Sequence, residues 1–80
     1  MAKKYDVKDL SRQKIESVSY LYGFYYVVLV PDEFYVNEAW KVDEHTGKTE
    51  PMFYTDYLVD IEDKARPIDV KVFKQWASKF

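Results

Sequence analysis

The fold of this chain depends on an eleven-residue stretch without charges, YLYGFYYVVLV at residues 20–30. Its aromatic and β-branched residues, and the Pro31-Asp32 pair that ends it, favour a β-strand over a helix. Because side chains alternate along a strand, we expect one face, from Leu21 to Leu29, to lie in the core. The other face is mostly aromatic, and we expect it to bind a partner through Tyr20, Tyr22, Phe24 and Tyr26.

The residues before this stretch have the spacing of an amphipathic helix from Asp6 to about Ser19. Asp6 is a suitable N-cap, and Asp9 lies in the first turn, near the positive end of the helix dipole. Lys14 projects near the middle of the apolar arc, which predicts either an imperfectly buried face or a side chain that extends to water. The arc spans about 140° and contains Val7, Leu10, Ile15, Val18 and Leu21.

A second strand is predicted from Phe34 to Asp43, where apolar and polar residues alternate. Trp40 lies on its apolar side, and we include this residue among the predicted partner-binding residues. Glu38 shares that side and is the exception to the pattern. An edge or bulge position, with the carboxylate solvated or paired, explains Glu38 more simply than a buried general acid with a raised pKa does.

A turn and a third strand follow. Residues Asp43 to Lys48 include Gly47, at a place where a hairpin loop needs a left-handed residue, and polar side chains that can bond their own backbone. The strand is predicted from Thr49 to about Val59. Pro51 lies near its start, where a missing N–H is least harmful.

The end of the chain is predicted to be helical. A charged connector from Asp60 to Pro67 leads to a helix with Asp69 as its cap, although a strand over residues 68–72 is a competing interpretation. We therefore predict one α+β domain over residues 1–80, an antiparallel three-stranded sheet with N- and C-terminal helices in the order α-β-β-β-α. The apolar residues at helical spacing in this last segment are Val70, Phe73, Trp76, Ala77 and Phe80.

No residue set in this sequence has the pattern of a catalytic, metal or cofactor site, so we predict no enzyme. His45 is the only histidine and lies in the predicted turn, where a solvated side chain is the simpler interpretation. Thr46-Gly47-Lys48 lacks the first glycine of a phosphate-binding loop. The chain has no cysteine, and Asp60, Glu62 and Asp63 do not have the spacing of a calcium loop.

Charge is segregated along the chain. Residues 1–14 include five basic and two acidic residues, residues 15–63 include two basic and eleven acidic, and residues 64–80 include five basic and one acidic. The basic start could contact nucleic acid, but the pI of about 5.3 argues against this partner. We expect the basic ends to pair with acidic residues inside the fold, although the acidic middle could also imitate a phosphate backbone. The basic residues concerned are Lys3, Lys4, Lys8, Arg12 and Lys14.

These observations predict a non-enzymatic accessory module that binds a protein or forms a homodimer through the tyrosine-rich strand face. The alternative is a nucleic-acid-associated factor that uses the basic terminal helices. We expect no membrane partner, because the longest apolar stretch is shorter than the roughly twenty residues that a span needs. The N-terminus lacks the apolar segment of a signal peptide, which favours the cytoplasm. Small size, tyrosine richness and the lack of cysteine would suit a phage or mobile-element protein.

Overall fold

The computed structural model describes residues 4–31 and 37–80, which form a five-stranded antiparallel sheet with helices on both faces. The order of strands across the sheet is β4-β3-β2-β1-β5. The predicted α+β class is confirmed, whereas the three-stranded sheet and the α-β-β-β-α order are wrong. In chain order the elements are α1 (Val7–Ser11), β1 (Ile15–Leu21), β2 (Phe24–Leu29), β3 (Ala39–Asp43), β4 (Thr49–Met52), α2 (Tyr54–Asp60), β5 (Arg66–Ile68) and α3 (Val70–Ala77).

The uncharged stretch is a β-hairpin and not one strand. Tyr22 and Gly23 have φ angles of 49° and 86°, the positive values that both central residues of a type I′ turn require. The turn places Leu21 opposite Phe24 and joins β1 to β2. A straight strand of eleven residues would be about 36 Å long, whereas the longest dimension of the Cα trace is 32 Å. Folding back therefore keeps the apolar residues inside the domain.

The first helix is shorter than predicted and ends before β1. Asp6 is its N-cap, as predicted, and the Asp6 carboxylate accepts a hydrogen bond from the Asp9 backbone N–H at 2.8 Å. The predicted helix through Ser19 is wrong because residues 15–21 pair with β2. Their β-branched and serine side chains favour this extended form. Lys14, the misfit on the helical arc, lies in the connection between α1 and β1.

Only part of the predicted second strand can be compared with the structure. β3 runs from Ala39 to Asp43, and it confirms the last five residues of that strand. Its predicted start at Phe34 lies outside the described residues. Glu38 is exposed, so its side chain is solvated as expected, and its backbone carbonyl accepts the Leu29 N–H of β2 at 2.9 Å. The residue directly precedes the interior strand β3, so the predicted edge position is not seen.

The predicted third strand contains two different elements. Its first four residues form β4, and helix α2 begins at Tyr54, so the predicted strand through Val59 is wrong. Burial against the sheet stabilises this short helix, because isolated helices of such length are not stable in water. The stripe that packs on the sheet has helical spacing and consists of Tyr54, Tyr57, Leu58 and Ile61.

Both edges of the sheet contain a proline. The predicted connector includes the short edge strand β5, which pairs with β1 and contains Pro67. Arg66 is extended there, as expected for the residue before a proline. The other edge strand, β4, contains Pro51. Because proline has no N–H to donate, both edges are poor templates for a further strand.

The second turn and the last helix are confirmed. In the turn, the Asp43 carboxylate accepts hydrogen bonds from the backbone N–H groups of His45 and Thr46 at 2.7 and 3.1 Å. Gly47 has a positive φ of 75°, as a left-handed loop residue should. Asp69 caps α3 through its side chain, which excludes the competing strand over residues 68–72.

The sheet is buried on both sides. Its first face is covered by α1 and α3, and its second face is covered by α2. Val27 and Val28, which are consecutive in the central strand β2, are both fully buried because they point to opposite faces. On the first face the most buried side chains are Leu10, Val27, Trp40, Val42, Phe73 and Ala77; on the second they are Tyr26, Val28, Ala39 and Tyr57.

We predict that Tyr22→Asn raises the free energy of unfolding by about 0.5 to 1 kcal/mol. A tyrosine at φ 49° is strained, whereas asparagine tolerates this conformation and Asn-Gly is a preferred type I′ pair. Urea unfolding measures the change. The matched opposite is Gly23→Ala, which adds a Cβ at φ 86° and should lower the same free energy by about 1 kcal/mol. An unchanged or lower stability of Tyr22→Asn would contradict the turn assignment.

We also predict that Asp43 makes the fold sensitive to acid. The N–H groups of His45 and Thr46 hold the pKa of this carboxyl below its usual value of 3.8. The charged form therefore stabilises the fold above pH 3.8, and this contribution is lost as the pH falls through the lower folded-state pKa. Asp43→Asn keeps the hydrogen-bond acceptor but does not titrate.

Urea unfolding of wild type and Asp43→Asn between about pH 5 and about pH 2 tests this expectation. The free energy of unfolding should fall less for the variant than for wild type over this interval. If the free energy of unfolding falls equally for the two proteins, the charge on the Asp43 carboxylate contributes nothing to the stability of the fold.

Candidate protein-docking surface

The five residues predicted to bind a partner do not share one face of the sheet. The turn at Tyr22 reverses the chain, so Tyr20 lies on the first face. Trp40 lies on that face as well, whereas Phe24 and Tyr26 lie on the second. The predicted tyrosine-rich strand face is therefore divided between the two sides of the sheet and the turn.

Two of these side chains are engaged within the domain. The Tyr20 hydroxyl donates a hydrogen bond to Glu44 Oε1 at 2.7 Å, and this bond, with burial, raises the pKa of Tyr20. The Lys41 ammonium group lies 4.1 Å from the centre of the Phe24 ring, which is a cation–π contact. Both rings are partly covered, so neither offers a free apolar surface.

Two further rings are buried, and only Tyr22 of the five is well exposed. Tyr26 lies beneath α2, where burial raises its pKa. Trp40 packs against Tyr5 with ring centroids 5.4 Å apart, and its indole N–H has no hydrogen-bond partner among the described residues. A partner could reach either ring only by displacing a helix or the N-terminal segment. Tyr22 is 87% exposed. The role of all five residues as partner contacts stays a prediction.

Helix α2 is held on the second face by aromatic and aliphatic contacts. Tyr57 is buried and stacks against Tyr54, with ring centroids 6.2 Å apart. The Tyr57 hydroxyl lies 3.3 Å from Ser19 Oγ in β1, and both side chains are buried. Leu58 and Ile61 pack on the same core. These contacts determine which side of the helix faces solvent.

The solvent side of α2 combines exposed apolar side chains with carboxylates. Phe53, which directly precedes the helix, and Val59 are each 77% exposed. At about 100° per residue, Asp56 and Asp60 lie between them around the helix axis. Two more exposed carboxylates follow in the turn after the helix. We name this surface the acidic docking face; it consists of Phe53, Asp56, Val59, Asp60, Glu62 and Asp63.

Phe53 occupies a position where another residue type would stabilise the helix better. It is the N-cap of α2, and its carbonyl accepts the Tyr57 N–H at 3.1 Å, but its side chain caps no N–H group. Serine, threonine, aspartate and asparagine are preferred at an N-cap because their side chains accept such a bond. Departures from local structural preference are typical of functional positions. The exposed ring of Phe53 is therefore a candidate contact residue.

The strand pattern could not identify this surface. It placed Phe53 and Val59 in the same phase as Tyr57, which is buried. The signal that identifies the exposed side is the helical stripe that begins at Tyr54, because it assigns Phe53 and Val59 to the side away from the sheet.

The residues considered for catalysis or metal binding do not converge. His45 has an 81% exposed side chain in the turn after β3, as predicted, and its Nε2 lies 4.0 Å from Glu44 Oε1. Within residues 4–31 and 37–80, no three His, Asp or Glu side chains are arranged to hold a metal ion. The features that distinguish the acidic docking face are therefore its carboxylates and its exposed apolar side chains.

Comparison of the chain with protein-family models, with curated proteins and with solved structures finds no match. None of the helices in the described ranges has the length and apolar character that crossing a bilayer requires.

Proposed function

We propose that this protein is a non-enzymatic binding module that docks a basic protein through the acidic docking face. The observation that carries the proposal is the exposure of Phe53 and Val59 beside four exposed carboxylates. A few apolar anchors contribute most of the binding energy in a protein interface. The carboxylates around these anchors would form the polar rim and would select a partner of opposite charge.

A second copy of this chain fits the same face less well. A two-fold dimer uses one patch on both copies, so the four carboxylates of one copy would lie opposite the four of the other. Like charges in such positions oppose binding. Pairing through a sheet edge is also disfavoured, because Pro51 and Pro67 lie in the two edge strands. A basic partner protein is therefore the favoured occupant, and a homodimer is the alternative.

We predict that Phe53→Ser stabilises the protein and weakens binding. The serine hydroxyl can accept a backbone N–H of α2, which should raise the free energy of unfolding by about 1 kcal/mol. Loss of the ring removes an apolar anchor, which should raise the Kd for the partner about tenfold or more. Urea unfolding measures the first effect. A clear loss of stability would show that the ring packs within the fold, and would contradict its role in docking.

Binding is measured with a partner captured on the immobilised protein from a nuclease-treated lysate, then purified and titrated calorimetrically against each variant. Asp56→Asn removes a carboxylate from the first turn of α2 and should weaken binding most at low salt. Its matched control is Asp9→Asn, which removes a carboxylate from the first turn of α1. The apolar control is Val72→Ser on α3, where the valine is 54% exposed.

The proposal requires that the captured protein has a basic surface and that only Phe53→Ser and Asp56→Asn weaken its binding. An acidic partner, or equal affinities across all four variants, would refute it. Sedimentation of the protein alone tests the alternative, a homodimer. A dimer that Phe53→Ser converts to a monomer would assign the face to a second copy, and one that only Tyr22→Asn dissociates would assign the contact to the β1–β2 turn.

A further inference from the structure

The side of the molecule opposite the acidic docking face is basic. It is formed by α1 and α3, which lie side by side on the first face of the sheet. Residues 4–14 and 69–80 contain seven basic and three acidic residues. The exposed side chains of α3 and of the residues that follow it include no carboxylate; they are Lys71, Val72, Lys74, Gln75, Ser78, Lys79 and Phe80.

The basic side chains are not neutralised within the described fold. Among residues 4–31 and 37–80, no Lys or Arg nitrogen lies within 4.0 Å of a carboxylate oxygen. The expected pairing between the basic ends and the acidic middle is therefore not seen among these residues, and the sheet separates α1 and α3 from the carboxylates of α2. The shortest dimension of the Cα trace is 20 Å. The Debye length at physiological ionic strength is about 8 Å, so the exposed charges of one face are largely screened from those of the other.

The chemistry of this basic side fits phosphate groups better than it fits an acidic protein. On α3 its one exposed apolar residue is Val72, and the partly exposed ring of Phe80 after the helix is packed on Trp76, with ring centroids 4.8 Å apart. Protein interfaces, in contrast, are built around apolar or aromatic anchors that become buried on binding. Lysine, glutamine and serine side chains commonly contact nucleic-acid phosphates. Lys71 and Ser78 are about 10 Å apart along the helix axis. That length matches roughly three phosphates of one strand.

We propose that the α1 and α3 side binds the phosphate backbone of nucleic acid without reading its sequence. This activity goes beyond the docking of a basic protein and uses the opposite face, so both partners could be held at once. Neutralisation of about three to five phosphates predicts a slope of about −2.7 to −4.5 for log K against log salt. We expect a Kd on the order of 10⁻⁵ M at low salt and a marked loss of binding near physiological salt.

The test is a fluorescence-anisotropy titration of a labelled 20-base-pair DNA duplex with the full chain, from about 20 to about 150 mM KCl. Lys74→Gln should weaken binding and make the salt slope shallower by about 1, and the Lys71→Gln/Lys74→Gln pair by about 2. The matched control is Lys64→Gln, which makes the same change in net charge at an exposed lysine just after α2. Circular dichroism verifies that each variant is folded.

Binding that is lost with Lys71→Gln/Lys74→Gln and kept with Lys64→Gln supports the proposal. Absence of binding at the lowest salt, or equal losses for Lys74→Gln and Lys64→Gln, would overturn it. Binding of poly-glutamate in the absence of DNA binding would assign this side to an acidic protein instead. Phe53→Ser should leave the DNA affinity unchanged, so failure here is distinguishable from failure of the acidic docking face.

Discussion

The two-residue reversal at Tyr22 and Gly23 is the constraint on which the other contacts depend. It fixes the register of β1 against β2, and a shift of one residue would exchange the two faces of a strand. Through this register Val27 lies beneath α1 and α3, and Val28 lies beneath α2. The division of β2 between the two cores therefore depends on one turn whose first residue is strained by its positive φ angle.

Local signals predicted the parts of the fold that local chemistry controls. Asp6 and Asp69 were recognised as helix caps, and Gly47 was recognised as a loop residue, because each needs only its neighbours in sequence. The hairpin was not predicted because its turn has the sequence Tyr22-Gly23, and not the Asn-Gly pair that usually indicates a type I′ turn. Helix α2 was not predicted because its stability comes from packing on the sheet. These contacts join residues that are distant in sequence, so a local stretch of sequence does not reveal them.

The aromatic face of the first predicted strand was predicted to bind a partner, and many of the described aromatic rings pack in the two cores. Tyr25 contacts Phe73 and Trp76 at centroid distances of 5.6 and 4.8 Å, and Trp76 contacts Phe80 at 4.8 Å. These rings supply the burial that a chain of 80 residues without cysteine needs. The candidate surface instead contains Phe53, which could be identified only after the position of α2 was known.

The closed edges of the sheet have a consequence for protein lifetime. A segment as rich in valine and tyrosine as residues 20–30 is of the kind that forms amyloid-type fibres when it becomes accessible. Here it supplies all of β2 and the last two residues of β1, both of which are interior strands. Every route to it from a sheet edge passes a strand that contains proline. Fibre growth therefore has to wait until the domain opens, so the rate of unfolding sets how long the protein persists in its native form.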